Sequence, residues 1–306
     1  MKVFVTGGTG LIGSRLIRAL RKRGDEVMAL SRQADAWERV GQDVTVIQGD
    51  PTQPGDWQDA LAACDGVVNL AGAGVFDKRW NAAYKQTMRD SRVNGTANVV
   101  AALAKPGAAC KVLVNGSAIG YYGPHGDEEL TEDSPNGNDF MAKLCAEWEA
   151  TARNAEASGV RVAMIRTGVV LDRRGGALKQ LLLPFQIGAG GPVGSGRQYL
   201  SWIHHADIVG IMLLALDHAE ARGPINGTAP QPVTNKAFGK ALGAALGRPA
   251  FMPTPGFGLR LVLGEVAQMV TTGQRVIPAK AKALGYQFQY PEIGAAFRSI
   301  LKPTAV

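Results

Sequence analysis

The chain has 306 residues, 46% hydrophobic and 19% charged, the composition of an ordinary globular protein. It is long enough for one large domain with an appended lobe, or for two domains. Its net charge is +7, but the densest basic cluster, Arg15, Arg18, Arg21, Lys22 and Arg23, has no interleaved aromatics, so it reads as the solvated face of a helix and not as a single-strand nucleic-acid surface.

No apolar run approaches the roughly 20 residues of a bilayer span. The chain opens on a strand, KVFVT at 2–6, which leaves no room for a signal peptide. Cys64, Cys110 and Cys145 are scattered and form neither a disulfide framework nor a metal-ligand pattern. The expected setting is a reducing cytoplasm, without a membrane, nucleic-acid or metal partner.

The first half alternates strand and helix. After KVFVT comes a Gly-rich turn, then LIGSRLIRALRKRG with helical spacing and a Gly stop at Gly24. EVMALSR (26–32) and DVTVIQGD (43–50) are predicted strands, followed by a helix in DWQDALAAC. GVVNLAG (66–72) is a fourth strand, and a long helix is predicted over about 80–105. CKVLVNGS (110–117) is a strand, 139–158 a helix, and VRVAMIRTGVVL (160–171) one buried strand. Continuous apolar strands between helices imply a doubly wound α/β parallel sheet, covered on both faces.

Beyond residue 172 the pattern loosens. YLSWIHHADIVGIMLLALDH reads as a strand and helix returning to the main body, and GPINGTAP (223–230) as a turn or short strand. Helices are predicted at 235–247, 257–272 and from 291. The predicted division is a nucleotide-binding domain of residues 1–170 plus 203–228, with a smaller C-terminal substrate lobe of 171–202 plus 229–306.

VTGGTGLIGSRL is the strongest signal. Gly8-x-Gly10-x-x-Gly13, or Gly7-x-x-Gly10-x-x-Gly13, directly follows a strand and opens a helix. Glycines there permit a tight turn and bring backbone N–H groups to a pyrophosphate, with the helix N-terminus behind them. Gly7, Thr9, Gly10, Leu11, Ile12 and Gly13 are the predicted cradle. The second strand ends in Ser31 and Arg32, where an NAD site would present a carboxylate to the ribose. A hydroxyl and a fixed cation suit a 2′-phosphate, so NADP(H) is the expected cofactor.

Together these residues resemble the extended short-chain dehydrogenase/reductases, the sugar-nucleotide epimerase and dehydratase class. Beyond TGGTGLIG, the resemblance is carried by GDPTQ, NLAG, SRVNGTANVVAAL, NGSAIGYYG, RTGVVL and SWIHHADIVG. It implies a Rossmann fold, with Asp50 near the adenine, Leu70, Ala71 and Gly72 along the cofactor, Arg92 on the cofactor side and Val170 toward the nicotinamide. RWN, DFMAKLCAEWE, LLLPFQIGAGGPVGSG and the tail GQRVIPAKAKALGYQFQYPEIGAAF resemble one atypical branch, the division-inhibitor-like epimerase family. That branch carries a C-terminal domain of unknown function.

In the parent family a Tyr phenol exchanges the alcohol proton during hydride transfer, a Lys four residues on lowers its pKa and holds the ribose, and a Ser orients the substrate oxygen. The resemblance maps the Ser to Ser117 and the Lys to Lys143, but Asp139 stands at the Tyr position. A carboxylic acid of reference pKa about 3.9 there replaces one of about 10. Asp139 acting as a base, a phenol from Tyr121 or Tyr122, or binding without chemistry are the three ways out; capping the helix is the other role for Asp139. The adjacent His204 and His205 would point to opposite faces of a strand, unable to share a metal. GAGGPVGSG (188–196) is either a phosphate-contacting loop or a connector.

The reading is an NADP(H)-binding epimerase or oxidoreductase acting on an unidentified small molecule, a nucleotide sugar or another carbonyl compound. The alternative is a non-catalytic NADP(H)-responsive protein linked to cell division. A homodimer through the helices near 85–105 and 140–158 is the family expectation.

Overall fold

The computed structural model describes residues 1–301. Seven parallel strands form the central sheet: β1 (Lys2–Thr6), β2 (Glu26–Ser31), β3 (Thr45–Gln48), β4 (Gly66–Asn69), β5 (Val112–Ala118), β6 (Arg161–Thr167) and β7 (Gly223–Gly227). Their spatial order is β7-β6-β5-β4-β1-β2-β3. The chain reverses direction across the sheet between β1 and β4, so their C-terminal ends open a crevice.

Both faces are covered, which is why runs such as Val3–Val5 and Val112–Val114 are apolar on both sides of the sheet. Helix α1 (Leu11–Arg23) buries Leu16, Ile17 and Leu20 beside the helix His205–Asp217 on one face. On the other face, the helices Ala82–Leu103 and Phe140–Arg153 pack with Trp57 and Leu61 over Phe4, Val67 and Leu113. At the strand ends a polar chain sets the crevice floor. Thr6 donates to Asn69 (2.6 Å), and Asn69 donates to Thr96 (2.9 Å) and Asn115 (2.7 Å). The Thr6 hydroxyl oxygen in turn accepts the Leu70 and Ala71 amides, both at 3.1 Å.

The predicted strand 160–171 is two strands. At Gly168 the chain leaves the sheet, and 169–171 pairs instead with Trp202–His204. A Cβ at Gly168 would lie 2.6 Å from the Ser201 carbonyl, so the crossing needs a glycine. The predicted helix 257–272 is likewise broken, at Gly264 (φ +64°), into Gly256–Leu263, a 3₁₀ turn and Gln268–Thr271.

A second apolar core joins Leu178, Phe185, Trp202, Phe238, Leu242 and Phe297. It holds the lobe built from Gly176–Gln186, Asn235–Leu246 and Ile293–Leu301. The lobe is pinned to the sheet body through Asp207, whose carboxylate accepts the Gln289 amide (2.8 Å), the Tyr290 amide (3.0 Å) and the Tyr286 hydroxyl (3.0 Å). No helix among the described residues is long and apolar enough to cross a membrane.

Candidate functional site

A cleft of about 830 Å³ lies between the strand ends and the lobe. Its inner half is the glycine-rich loop. Gly7 has φ +67°, and a Cβ there would sit 2.7 Å from the Leu70 backbone; at Gly13 it would sit 2.3 Å from the Gly7 carbonyl oxygen. The Gly10 amide closes the turn on that same oxygen at 3.0 Å. Gly10 then starts α1 without a side-chain cap, and the first turn carries no acidic residue. The amides of Leu11, Ile12 and Gly13 therefore have no partner within the helix, and the positive end of the dipole faces the cleft. This donor set fits a diphosphate.

Leu70, Gly72, Arg92 and Val170 line the same cleft. Arg92 reaches in from Ala82–Leu103, lies 5.3 Å over the Trp148 ring and donates to the Met88 carbonyl (3.2 Å). Burial lowers its pKa, and no carboxylate pairs with it among the described residues. Thr9 lines a second cavity of about 450 Å³ on the outer side of the loop, with Arg18, Arg39 and Arg174. Ser31, Arg32, Asp50 and Ala71 stand at or just beyond the ends of β2, β3 and β4 but outside the cleft lining. Arg32 is exposed; Ser31 accepts the Gln33 amide (3.1 Å), and Asp50 holds its own turn through Thr52 (2.9 Å).

The proposed catalytic set does not assemble. Asp139 lines the cleft as the N-cap of Phe140–Arg153, accepting the Ala142 amide at 2.8 Å. That cap fixes the helix phase, and Met141, Cys145 and Trp148 face the cleft. Lys143, turned about 200° from Met141, is exposed and lies outside the cleft lining. Ser117 borders the cleft, but its hydroxyl is buried and donates to Glu149 at 2.7 Å. Tyr122 is fully buried, donating to Asn226 (2.7 Å) and accepting from Arg166 (3.0 Å). Burial pushes this phenol up to about 12, against the pull of Arg166. Tyr121 stacks on the same guanidinium, 3.4 Å from its ring centroid. Neither phenol lines the cleft.

Two further expectations change. The basic face of α1 is largely ion-paired: Arg15 binds the buried Asp172, Arg21 binds Asp43, and Arg23 binds Asp25 and Asp217. The rings of His204 and His205 do not point apart, because the strand ends at His204 and the helix begins at His205; their centroids are 4.0 Å apart. Sequence reasoning missed Arg39 and Arg174, which reach the loop from distant segments, and the pairing of Met141 with Cys145, whose i, i+4 spacing was the available signal.

A doubly wound sheet with an uncapped glycine-rich helix start at its crossover crevice defines a dinucleotide-binding protein of the α/β class. The chain belongs to the NAD dependent epimerase/dehydratase family, whose model matches residues 3–226; residues 254–300 match a domain of unknown function, DUF1731. The epimerase family protein SDR39U1 of Mus musculus is 41% identical, over 98% of this chain and 100% of its own length. A crystal structure of human SDR39U1 with NADPH has a TM-score of 0.87 at 40% identity, covering 98% of this chain and 99% of that one. A nucleoside-diphosphate sugar epimerase from Corynebacterium glutamicum has a TM-score of 0.80 at 35% identity, covering 98% of this chain and 58% of the other.

Proposed function

We propose that the chain binds NADP(H) in the crevice and uses it on a carbonyl or alcohol held in the outer half of the cleft, by a route that does not draw its proton from a tyrosine. The observation carrying this reading is the cradle: close-packed glycines, uncapped amides at Leu11–Gly13, and Arg32 at the β2 terminus with Arg18, Arg39 and Arg174 around the loop. The NADPH bound by the human relative supports the same choice. When bound, the coenzyme supplies or accepts hydride. The protein's part is to hold the diphosphate on the α1 amides, to keep the unpaired Arg92 cation in a low-dielectric wall, and to exclude water with Met141, Cys145 and Trp148. A fixed cation in such a wall can stabilise negative charge growing on an oxygen.

A second reading, a nucleotide-responsive binding protein without turnover, is favoured by the loss of Ser117 and Tyr122 to a buried network and of Lys143 to solvent. The three cysteines are buried free thiols, which fits the reducing cytoplasm in which we place the chain. Calorimetry decides the cofactor: NADPH should bind about tenfold to a hundredfold more tightly than NADH, the range of a charge-assisted bond to the 2′-phosphate. Absence of NADPH binding overturns the reading. NADPH oxidation over a carbonyl panel separates enzyme from binder.

A further inference from the structure

Recognition of a nucleoside diphosphate sugar needs a site for its diphosphate: a guanidinium fork, or backbone amides left free at a helix start. Among the described residues, the outer half of the cleft has neither. Among the described residues that line the cleft, the cations are Arg92 and Lys85. Arg92 stands beside Gly72 in the cofactor half. Lys85 is taken by Glu265 and lies over the Phe140 and Trp80 rings, at 5.2 and 6.0 Å.

The glycine-rich loop 188–196 reaches the cleft lining only through Val193 and is tied to its neighbours by backbone amides. Val193 donates to the Asn235 side chain (2.8 Å), Gly194 to Thr254 (2.9 Å) and Gly196 to Val193 (3.0 Å). The helix Asn235–Leu246 is likewise closed at its start. Its first amides go to Gln198 and Gly196, both at 2.9 Å, and the Ala237 amide goes to the capping hydroxyl of Thr234 at 3.2 Å.

What remains is an apolar wall. Phe76, Trp80, Phe140, Leu181, Phe238 and Met269 line it. Of the polar side chains in the lining, the Trp80 indole donates to Val75 (2.9 Å) and the Gln198 amide to Val193 (3.0 Å) and Val270 (3.1 Å), while Gln180, Tyr199, Gln268 and Gln274 offer neutral donors and acceptors only. Ser201 donates to Gln274 and accepts from Val276, both at 2.8 Å. Asp139, also in the lining, adds repulsion toward an anion.

We propose that this half of the cleft takes a neutral, predominantly apolar carbonyl compound, aromatic or alicyclic, and not a nucleoside diphosphate sugar of the kind named for the Corynebacterium relative. The proposal rests on the NADP(H) reading and adds the ligand class. The probe is 6-propionyl-2-(dimethylamino)naphthalene, a neutral aromatic ketone whose emission moves to the blue on leaving water. Titrated into the full chain loaded with NADP⁺, it should shift and saturate, and excess UDP-glucose should not displace it. Phe76→Arg and Met269→Arg, both at partly exposed wall positions, should each weaken the probe about tenfold or more, since they put a charge into apolar surroundings. Their NADPH affinity, read by calorimetry, should stay within about twofold of the parent chain. An aqueous emission spectrum, displacement by UDP-glucose, or indifference to both charged variants overturns the proposal. If NADPH itself fails to bind, the parent reading falls; if NADPH binds and the probe does not, only the ligand class falls.

Discussion

Arg166 grips Glu149 with two prongs, Nε to Oε1 at 2.8 Å and Nη2 to Oε2 at 2.9 Å, with both side chains 2% exposed. The pair is the hub of a network under the cleft. Ser117 donates into Glu149, Arg166 donates to Tyr122 and the Glu132 carbonyl, and Tyr122 donates to Asn226, which reaches Ile277 at 3.0 Å. It ties β5, β6 and β7 to the C-terminal segment. Glu149→Gln leaves a buried guanidinium without its counter-charge, which should cost about 3–5 kcal/mol of unfolding free energy in urea. Adding Arg166→Met should restore part of that loss, because the uncompensated charge goes with it. A Glu149→Gln protein as stable as its parent would contradict the role given to the pair.

The network also engages Ser117, which the family pattern marks as catalytic, and the candidate phenol Tyr122, while Lys143 lies outside it. Tyr122→Phe removes a buried hydroxyl with two partners and should lower stability by about 1–3 kcal/mol while leaving NADPH affinity unchanged. Lys143→Ala, on the exposed helix face, should change neither NADPH affinity nor any NADPH turnover, within about twofold. Both variants are read by urea unfolding and calorimetry in parallel. A large loss of NADPH binding in Lys143→Ala would mean that the helix turns differently from the structure.

Local signals carried most of the fold. The Gly-rich turn between an apolar strand and a helix marked the cradle, and alternating strands and helices marked the covered parallel sheet. What was hidden depends on phase and long-range closure. Spacing placed Lys143 four residues after Asp139, but the cap at Asp139 and the packing of Met141, Cys145 and Trp148 set which face meets the cleft. Residues 160–171 read as one apolar run because the steric demand at Gly168 comes from Ser201, more than thirty residues away. Arg18, Arg39 and Arg174 share a cavity only after three segments close around the loop.

The cradle itself makes a sharp prediction. Gly13→Ala places a methyl 2.3 Å from the Gly7 carbonyl oxygen and 2.8 Å from the Gly8 Cα, both backbone atoms that no rotamer can move. The loop must open, and the amides that follow lose their common aim. NADPH affinity should fall at least about a hundredfold, an energy of about 2.7 kcal/mol, with the far-UV circular dichroism of the fold retained. Gly24→Ala is the control: its Cβ meets nothing within 4 Å, so its cost is confined to φ +88° at the helix end, and it should affect stability and not affinity. Normal NADPH affinity in Gly13→Ala would remove the cradle from the account.

The histidine pair predicts the acid limit of stability. His204 is 1% exposed, its Nδ1 accepts the Ala206 amide at 3.1 Å, and its Nε2 has no partner among the described residues. Its ring lies 3.8 Å from that of Tyr290, centroid to centroid. Burial lowers His204 to about 3 and His205 to about 4, with the nearby Arg15 guanidinium pushing the same way and Asp172 pulling weakly against both. In the unfolded chain both take up protons near pH 6.5. Between that value and about 4, the unfolded state therefore binds more protons than the folded one, and stability falls as pH falls. Above pH 6.5 both states are neutral and the pair contributes no slope. Each full pKa unit corresponds to about 1.4 kcal/mol, so a loss on the order of a few kcal/mol should accumulate across this window. Urea unfolding at several pH values measures it. His204→Asn, which keeps an acceptor for the Ala206 amide, combined with His205→Gln, should flatten the curve over the same interval. A parent chain whose stability stays level from neutral pH to about 4 would mean that these rings are hydrated or already charged in the fold.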